Sequence, residues 1–486
     1  MKKEYIPKYT RVKNDILNKI SDGVLKKGDP IPTEFELAKQ FGVSRITIVG
    51  ALRELVEEGI IVKRRKKGSF IREDFPELED FDIFSQIVSK PKTVITYALP
   101  GVKPDYEFLL KTLAGIFQLE NPDICVRIEN IPWPSKHSED PLLLRLGSGT
   151  VPTAGEFFMH STYAAMNALI PLDSLEGFRE TVATIDPKCL YKTFNAEGEA
   201  HYHALVSGRN VRLVFVNTEF LAKAGVKDFD VAMTPELLCE WIEKASRYAE
   251  GRGEGEFGYF CETPSGWHNV IGLIQYFWQG ISPGDYEAGN RECFLRLFSS
   301  PEGIAGLRFL QGLRRKYRSS PNNGFDLFAL GKIGILPAGN CWVLSLREMM
   351  ANAIPVKAYP MPPLPGMDVF YPVQGSRCTG IFRAGIKSSG ELEAVWRWIR
   401  FLFRKKQQYL LTMDYSLPSR MDCGCLLKKR YPDIFSVQKN AAEQARPQFD
   451  FNNVRTALSR TGDELNALFT GKFTPEECAR RIMETV

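Results

Sequence analysis

The chain has 486 residues, long for one domain and comfortable for two or three, and its 44% hydrophobic and 25% charged content supplies large cores and excludes disorder over most of its length. No run approaches the ~18–20 uninterrupted apolar residues of a membrane span, and the opening MKKEYIPKYTRVKND has no apolar stretch behind its lysines, so neither a membrane association nor a secretory signal is expected. The net charge of +5 is uneven: residues 1–72 hold 17 Lys+Arg against 9 Asp+Glu, net +8, which leaves −3 for the remainder.

Positive excess gathered at one end suits a nucleic-acid-binding head, against the plainer reading of a solvated lysine-rich terminus. The ten cysteines form no framework; Cys423 and Cys425 are spaced C-x-C, not as a redox C-x-x-C. Free thiols in a reducing cytoplasm are the simplest account.

In chain order, Tyr9–Ser21 has helical period, with Val12, Ile16, Leu17 and Ile20 on one face. SDGVLKKGDPIP is dense in turn residues and ends that helix. A second helix opens at Thr33, where Glu36 three residues on makes a capping-box pattern, and Gly42 stops it. Ser44 can cap a third helix whose buried side carries Ile48, Ala51, Leu52 and Leu55. Two short apolar runs, Ile60–Val62 and Ser69–Ile71, then flank a basic turn, Lys63–Lys67, closed by Gly68. Three short helices and a basic hairpin predict a winged helix-turn-helix: the third helix enters the major groove and the wing grips phosphate.

The stretch KYTRVKNDILNKISDGVLKKGDPIPTEFELAKQFGVSRITIVGALRELVEEGIIVKRRKKGSFI resembles the DNA-binding head of GntR-family bacterial regulators, without gaps. The resemblance implies binding of a double-stranded operator, usually as a homodimer on a two-fold site. The DNA-contacting set it suggests is Lys8, Arg11, Thr33, Ser44, Arg45, Thr47, Arg53, Lys63, Arg64, Arg65, Lys66, Lys67 and Gly68. Three positions depart from the family pattern. Phe35 and Val49 stand where arginines are common, and Gly50 replaces a residue that is usually polar, whereas the arginine of V-S-R is kept as Arg45. A valine can touch a thymine methyl group but cannot hydrogen-bond guanine.

Residues 73–92 are acidic, proline-bearing and weakly periodic, and read as a linker with a short helix near Asp82–Val88. From residue 93 the texture is α/β. TVITYALP reads as a buried strand, DYEFLLKTLAGIFQLENPD as an amphipathic helix and ICVRIENIPW as a strand, a crossover unit with a parallel pair. Further on, DPLLLRLGSGTVP reads as helix then turn, TAGEFF as a strand, and STYAAMNALIPLDSL as a helix. The expected organisation is multidomain: a winged helix-turn-helix at 1–72, a linker at 73–92, and a large α/β domain at 93–486 with room for two lobes.

LGSGTVPTAGEFFMHSTYAAMNALIPLDS, RLVFVNTEFLAKAGV followed by MTPELLCEWIEKA, FALGKIGILPAGNCWVLSL and the closing GIFRAGIKSSGELEAVWRWIRFLF are similar, in order and spacing, to the solute-binding proteins of sugar ABC importers. Thr153 stands where an aspartate is usual. The resemblance implies a two-lobed, periplasmic-binding-protein-like domain closing on a small-molecule effector, with a carbohydrate as the expected class. Sugars stack on flat aromatic faces and bind polar groups at the ring edge. Trp133, Trp267 and Trp342 are therefore the stacking candidates, and Glu156, His160, Asn340 and Arg377, the last on a loop approaching the cleft, the polar ones. Trp241, Trp278, Trp396 and Trp398 read as core.

His201 and His203 share one side at strand spacing, but no third ligand is evident, so no metal is expected. No cofactor and no catalytic residue is expected either. GntR heads also occur fused to pyridoxal-phosphate aminotransferases, yet the lysine loop and N-P-T-G-like turn of that fold are not convincingly present. The expectation is a cytoplasmic bacterial transcription regulator; a solute-binding or interaction protein with a degenerate head is the alternative.

Overall fold

A computed structural model of the protein describes residues 8–21, 24–57, 60–64, 68–73, 93–101, 104–131, 141–158, 160–253, 255–261, 285, 289–318, 324–339, 343–344, 348, 354–363 and 373–486. The chain divides into two compact units, Met1–Lys90 and Pro91–Val486. The expected helix near 82–88 lies outside the described residues.

The first unit holds helices α1 (Lys8–Ser21), α2 (Glu34–Phe41) and α3 (Arg45–Glu57) and an antiparallel hairpin of strands β1 (Ile61–Arg64) and β2 (Gly68–Ile71). Thr33 and Glu36 form the reciprocal capping box at the start of α2, and Gly42 ends it with left-handed backbone at φ 59. Ser44 Oγ accepts from the Thr47 amide at 3.3 Å, satisfying a donor in the first turn of α3. Val12, Ile16, Leu37, Ile48, Ala51, Leu52, Leu55, Ile61 and Ile71 close a single core. Lys13 and Glu54 pair at 3.2 Å between α1 and α3. The hairpin pairs Ile61 with Ile71 and Arg64 with Gly68, so its strands run further toward the turn than the apolar pattern shows.

The second unit is built on two sheets. In the first, β3 (Thr93–Pro100) lies between and parallel to β4 (Ile124–Ile131) and β5 (Ala154–Phe157). Thr153 ties β3 to the start of β5: its hydroxyl accepts from the Thr96 amide at 2.8 Å and donates to the Thr96 carbonyl at 2.7 Å. A small separate ribbon pairs β6 (Thr193–Phe194) with β7 (Ala200–His201). Next come β8 (Ala204–Val211) and β9 (Leu213–Asn217), then β10 (Phe257–Tyr259), β11 (Ile333–Ala338), β12 (Val356–Pro360), β13 (Val373–Ile381) and β14 (Arg446–Pro447). Strand β13 adds antiparallel to β5 and also pairs with β8 and β14, completing the first sheet. The second sheet has the order β10-β11-β9-β12.

A single residue, Arg212, therefore separates a strand of one sheet from a strand of the other. It is buried and donates to the Pro337 carbonyl of β11 at 3.3 Å.

Alternation on β9 shows how the second sheet is covered. Val214 and Val216 face one core with the helices Pro235–Glu250, Arg291–Ser299, Pro301–Lys316, Val454–Phe469 and Pro475–Thr485. Leu213 and Phe215 face another core, which includes Ile434, Ala441 and Ala442 of the helix Pro432–Gln444. The first sheet is covered by the helices Pro104–Glu120 and Ser389–Leu402. There Trp398 stacks on Phe401 at 5.6 Å and meets Tyr97 and Phe117 edge-on. Trp241, Trp396 and Trp398 are buried, as their amphipathic helices predict; Trp278 lies outside the described residues.

Two expectations are corrected. The stretch from Ser161 is helical only over Ser161–Ala165; Asn167 adopts left-handed backbone at φ 54, a conformation asparagine tolerates, and Pro171 removes a donor before the single turn Leu172–Ser174. Arg377 is on strand β13 rather than on a loop: it pairs with Gly208 of β8, and pairing with β5 begins at the next residue, Cys378.

Gly50 lies mid-helix in α3 with nothing within 4 Å of where a Cβ would sit. No packing reason requires it, and glycine costs a helix interior about 0.5–1 kcal/mol relative to alanine. Gly50→Ala is expected to stabilise α3 by about that much, read as slower amide hydrogen exchange across Arg45–Glu57 in the full-length chain.

Candidate functional site

The first face lies on the head. With Ile48, Ala51, Leu52 and Leu55 buried, α3 turns Arg45, Ile46, Val49 and Arg53 outward. Glu34, the first residue of α2, accepts from Arg45 Nε at 2.9 Å and from Lys63 Nζ of β1 at 3.1 Å. One carboxylate thus joins α2, α3 and the hairpin, and its hydrogen bonds from Lys63 and then Arg45 hold its pKa below the usual carboxylate value. Arg64 pairs with Glu73 at 2.8 Å and lies 4.9 Å from the Phe70 ring. Thr33 and Ser44 serve as helix caps, and Ser44 and Thr47 bond each other through their hydroxyls at 2.9 Å. Arg53 is exposed, and Gly68 opens β2 at φ 105. Lys8 and Arg11 fall within α1, but their side chains, like residues Arg65, Lys66 and Lys67, lie outside the description.

The second region lies in the α/β unit, around the carboxyl ends of β3, β4 and β5. In open α/β sheets ligands bind outside those ends. Trp133 follows the last described residue of β4 by two positions and lies outside the described residues, as do Trp267, Asn340 and Trp342. Glu156, His160 and Arg377 are described, and the fold brings the first and last together.

Glu156 on β5 is fully buried, accepts from the Tyr106 hydroxyl at 2.9 Å, and lies 3.5 Å from Arg377 Nε. Arg377 lies over the Tyr106 ring at 4.2 Å and donates from Nη1 to Asp414 at 3.0 Å. Opposite is Gly208 of β8, where a Cβ would lie 3.1 Å from Arg377 Nη2. Burial works against the guanidinium's charge, but Tyr106, Glu156 and Asp414 outweigh it and raise its pKa. Burial, only partly opposed by Arg377, raises the Glu156 carboxyl above the usual carboxylate value. Glu156 Oε2 and Arg377 Nη2 have no hydrogen-bond partner among the described residues. The pair can hold a polar group of a ligand only by rearranging; as it stands it ties strands together.

His160, just beyond β5, belongs to a contact between the two lobes. The segment Gln448–Phe451 alternates: Phe449 and Phe451 enter the second lobe's core, while Gln448 and Asp450 turn to the first lobe. Asp450 accepts from the His160 and Ser161 amides at 2.9 and 3.0 Å, and Gln448 donates to the Phe158 carbonyl at 2.9 Å. His160 Nδ1 is 3.3 Å from Asp450, and Nε2 is buried without a partner among the described residues. Burial, opposed by Asp450, lowers the His160 pKa and keeps the ring neutral near pH 7.

The rings of His201 and His203 lie 5.9 Å apart and have different partners. His201 faces Asp173 at 3.1 Å, while His203 bonds Thr193 at 3.0 Å. No group of three potential ligands gathers among the described residues.

Sequence reasoning did not single out Glu34 as a bridge, nor Tyr106, Asp414 and Asp450. Asp450 had a signal, the alternation in PQFDFN; Tyr106 and Asp414 reach Arg377 over sequence distances that no local pattern encodes.

Comparison with known proteins agrees with the division into units. Residues 8–71 match the family described as "Bacterial regulatory proteins, gntR family". Over 79 residues the chain is 44% identical to the histidine utilization repressor of Klebsiella aerogenes, covering 16% of this chain and 33% of that one. Over 78 residues it is 41% identical to the mannosyl-D-glycerate transport/metabolism system repressor MngR of Escherichia coli, covering 16% and 31%. The chain thus spans about a third of the length of these curated relatives. Among solved structures, maltose-bound T. maritima MalE3 aligns with TM-score 0.66 at 20% identity, covering 81% of this chain and 98% of that one. The ABC substrate-binding protein Lmo0181 from Listeria monocytogenes, in complex with cycloalternan, aligns with TM-score 0.64 at 17% identity, covering 81% and 97%. These likenesses show the two-lobed fold. Among the described residues no helix is long and apolar enough to cross a membrane.

Two outcomes test the geometry. Asp450→Ala leaves two buried amides without their acceptor and is expected to destabilise the α/β unit by about 2–4 kcal/mol in urea unfolding, with Asp450→Asn losing less. The His203 pKa falls from 6.5 to about 4, through burial first and then the neighbouring His160 and His201. The unfolded chain protonates this ring near pH 6.5 while the folded chain resists until about pH 4. Its contribution to stability is therefore present above pH 6.5 and lost as pH falls to 4. Between those limits wild type is expected to lose roughly 3 kcal/mol more than His203→Gln.

Proposed function

We propose that this chain is a transcription regulator whose winged helix-turn-helix head binds operator DNA and whose two-lobed domain senses a carbohydrate. The observation that carries this reading is the union, in one chain, of a head matching the gntR family with a domain sharing the fold of sugar-binding receptors. A ligand that contacts both lobes stabilises the closed form by the contacts the open form lacks. The resulting difference in free energy between closed and open forms is available to change DNA affinity. The head would act as one half of a homodimer on a two-fold operator. No step of chemistry is needed for this function, and the reading assigns none.

The site set follows the same logic. On the head, Arg45, Lys63 and Arg64 face DNA beside Thr33, Ser44, Thr47, Arg53 and Gly68, with Lys8, Arg11 and Arg65–Lys67 as further phosphate contacts. In the cleft, Trp133, Trp267 and Trp342 supply stacking faces, while Asn340 supplies ring-edge hydrogen bonds. Glu156, His160 and Arg377 set the shape of the wall from behind.

The test is fluorescence anisotropy of a labelled duplex from the region upstream of the chain's own gene, across several salt concentrations, with and without a panel of mono- and oligosaccharides. Arg45→Ala is expected to weaken binding about 10- to 100-fold at constant salt. At least one sugar is expected to shift wild-type affinity, and Trp342→Ala to abolish that shift while retaining sugar-free DNA affinity. Absence of salt-dependent DNA binding would return the chain to the alternative reading, a solute-binding protein with a degenerate head.

A further inference from the structure

The outward face of the head is unusually apolar for a surface that meets DNA. Ile46 and Phe35 are the two most exposed large apolar side chains among the described residues, at 84% and 77%, and Val49 is 37% exposed. Ile46 and Val49 are one helical turn apart on the outward stripe of α3. Phe35, in the first turn of α2, lines with Glu34, Arg45, Lys63 and Arg64 a groove of about 1270 Å³ between that helix and the hairpin. Isolated exposed apolar residues need no explanation. These three share one face with the residues that would touch DNA, Ile46 and Phe35 standing clear of the described residues of the head and Val49 partly covered.

One carboxylate already engages part of the polar capacity of the same face. Arg45, at the start of α3, donates from Nε to Glu34, and Lys63 gives one ammonium hydrogen to the same carboxylate. Gly50, beside Val49, leaves open space where a side chain would hold the helix away from a groove floor. Such a face offers few hydrogen bonds to base edges and a broad apolar contact.

In the major groove the apolar feature of a base edge is the thymine C5 methyl group. We propose that this head selects its operator mainly through thymine methyl groups, taken up by Ile46 and Val49 of α3 and by Phe35 of α2, with Glu34 as the positioning residue that fixes Arg45 beside them. The inference rests on the DNA-binding reading above and names what that face reads. Lys63 and Arg64 supply the flanking phosphate contacts, which attract DNA of any sequence.

Deoxyuridine isolates the effect, because it removes the methyl group and leaves every groove hydrogen-bonding group in place. Full-length protein is used to select duplexes from a pool with a randomised central segment. Each thymine of the selected half-site is then replaced in turn by deoxyuridine, and affinity is read by anisotropy at fixed salt. Wild type is expected to lose about three- to fivefold at two or more positions, the scale of one methyl group withdrawn from apolar contact. Ile46→Ala and Val49→Ala are each expected to lose the penalty at one of those positions while keeping the same salt slope. Ile46 is too exposed for its truncation to endanger folding, so that arm reports on recognition alone. Deoxyuridine duplexes that bind as tightly as the thymine ones, or variants that keep every penalty, overturn the methyl readout and leave DNA binding standing. Failure to enrich any duplex from the pool overturns the regulator reading itself, and this inference with it.

Discussion

A guanidinium taken out of water needs opposing charge close at hand, and Arg377 obtains it from two carboxylates that reach it from different parts of the chain. The first sheet is organised around that demand. Glu156 comes from β5, Asp414 from the segment after the helix Ser389–Leu402, the aromatic face of Tyr106 from the helix that follows β3, and the empty space from Gly208 of β8. Removing any one partner leaves a buried charge short of its counterpart, which is far more costly than the net worth of the intact pair. The register shift of β13 between Arg377 and Cys378 falls at the same point, so the charged cluster and the backbone irregularity coincide.

The two lobes are joined by short covalent and polar links and by an apolar cluster that takes in Val211 of β8 beside Leu213 and Phe215 of β9. The chain passes from β8 to β9 through Arg212 alone, whose side chain reaches into the second sheet. The segment Gln448–Phe451 sends its aromatic residues into the second lobe and its polar residues to the first. A contact of that kind fixes direction through hydrogen bonds to two backbone amides and a carbonyl.

How much of this was legible depends on the range of the interaction. The head could be read almost whole, because its signals are local: a capping box four residues long, a glycine stop, a 3.6-residue stripe and a two-stranded ribbon around a basic turn. The strands and crossover helices of the larger unit were legible for the same reason. The helix assigned from Ser161 onward was not, because apolar spacing continues past Asn167, whose left-handed backbone ends the helix early. Glu156 and Arg377 could be singled out as polar residues in the right neighbourhood. Their mutual contact could not, since it depends on β5 and β13 lying side by side, more than 200 positions apart in the chain. Trp342 rested on a matched position in the resemblance, and Trp133 and Trp267 on their place after a strand and after a Gly-containing stretch, with no periodicity behind any of them.

Glu34 has one further consequence, for the ions around the head. A lysine or arginine that lies free on a surface gathers no internal counter-charge, and on meeting DNA it displaces a condensed cation from the phosphates it neutralises. Arg45 and Lys63 share a single carboxylate in the head, and under the proposed function that carboxylate would accompany them onto DNA. The thermodynamic charge this face brings to the duplex is therefore smaller than its number of cationic side chains. The dependence of affinity on salt should accordingly be shallower than a count of lysines and arginines implies, leaving a larger share of the binding free energy to contacts that ionic strength does not touch.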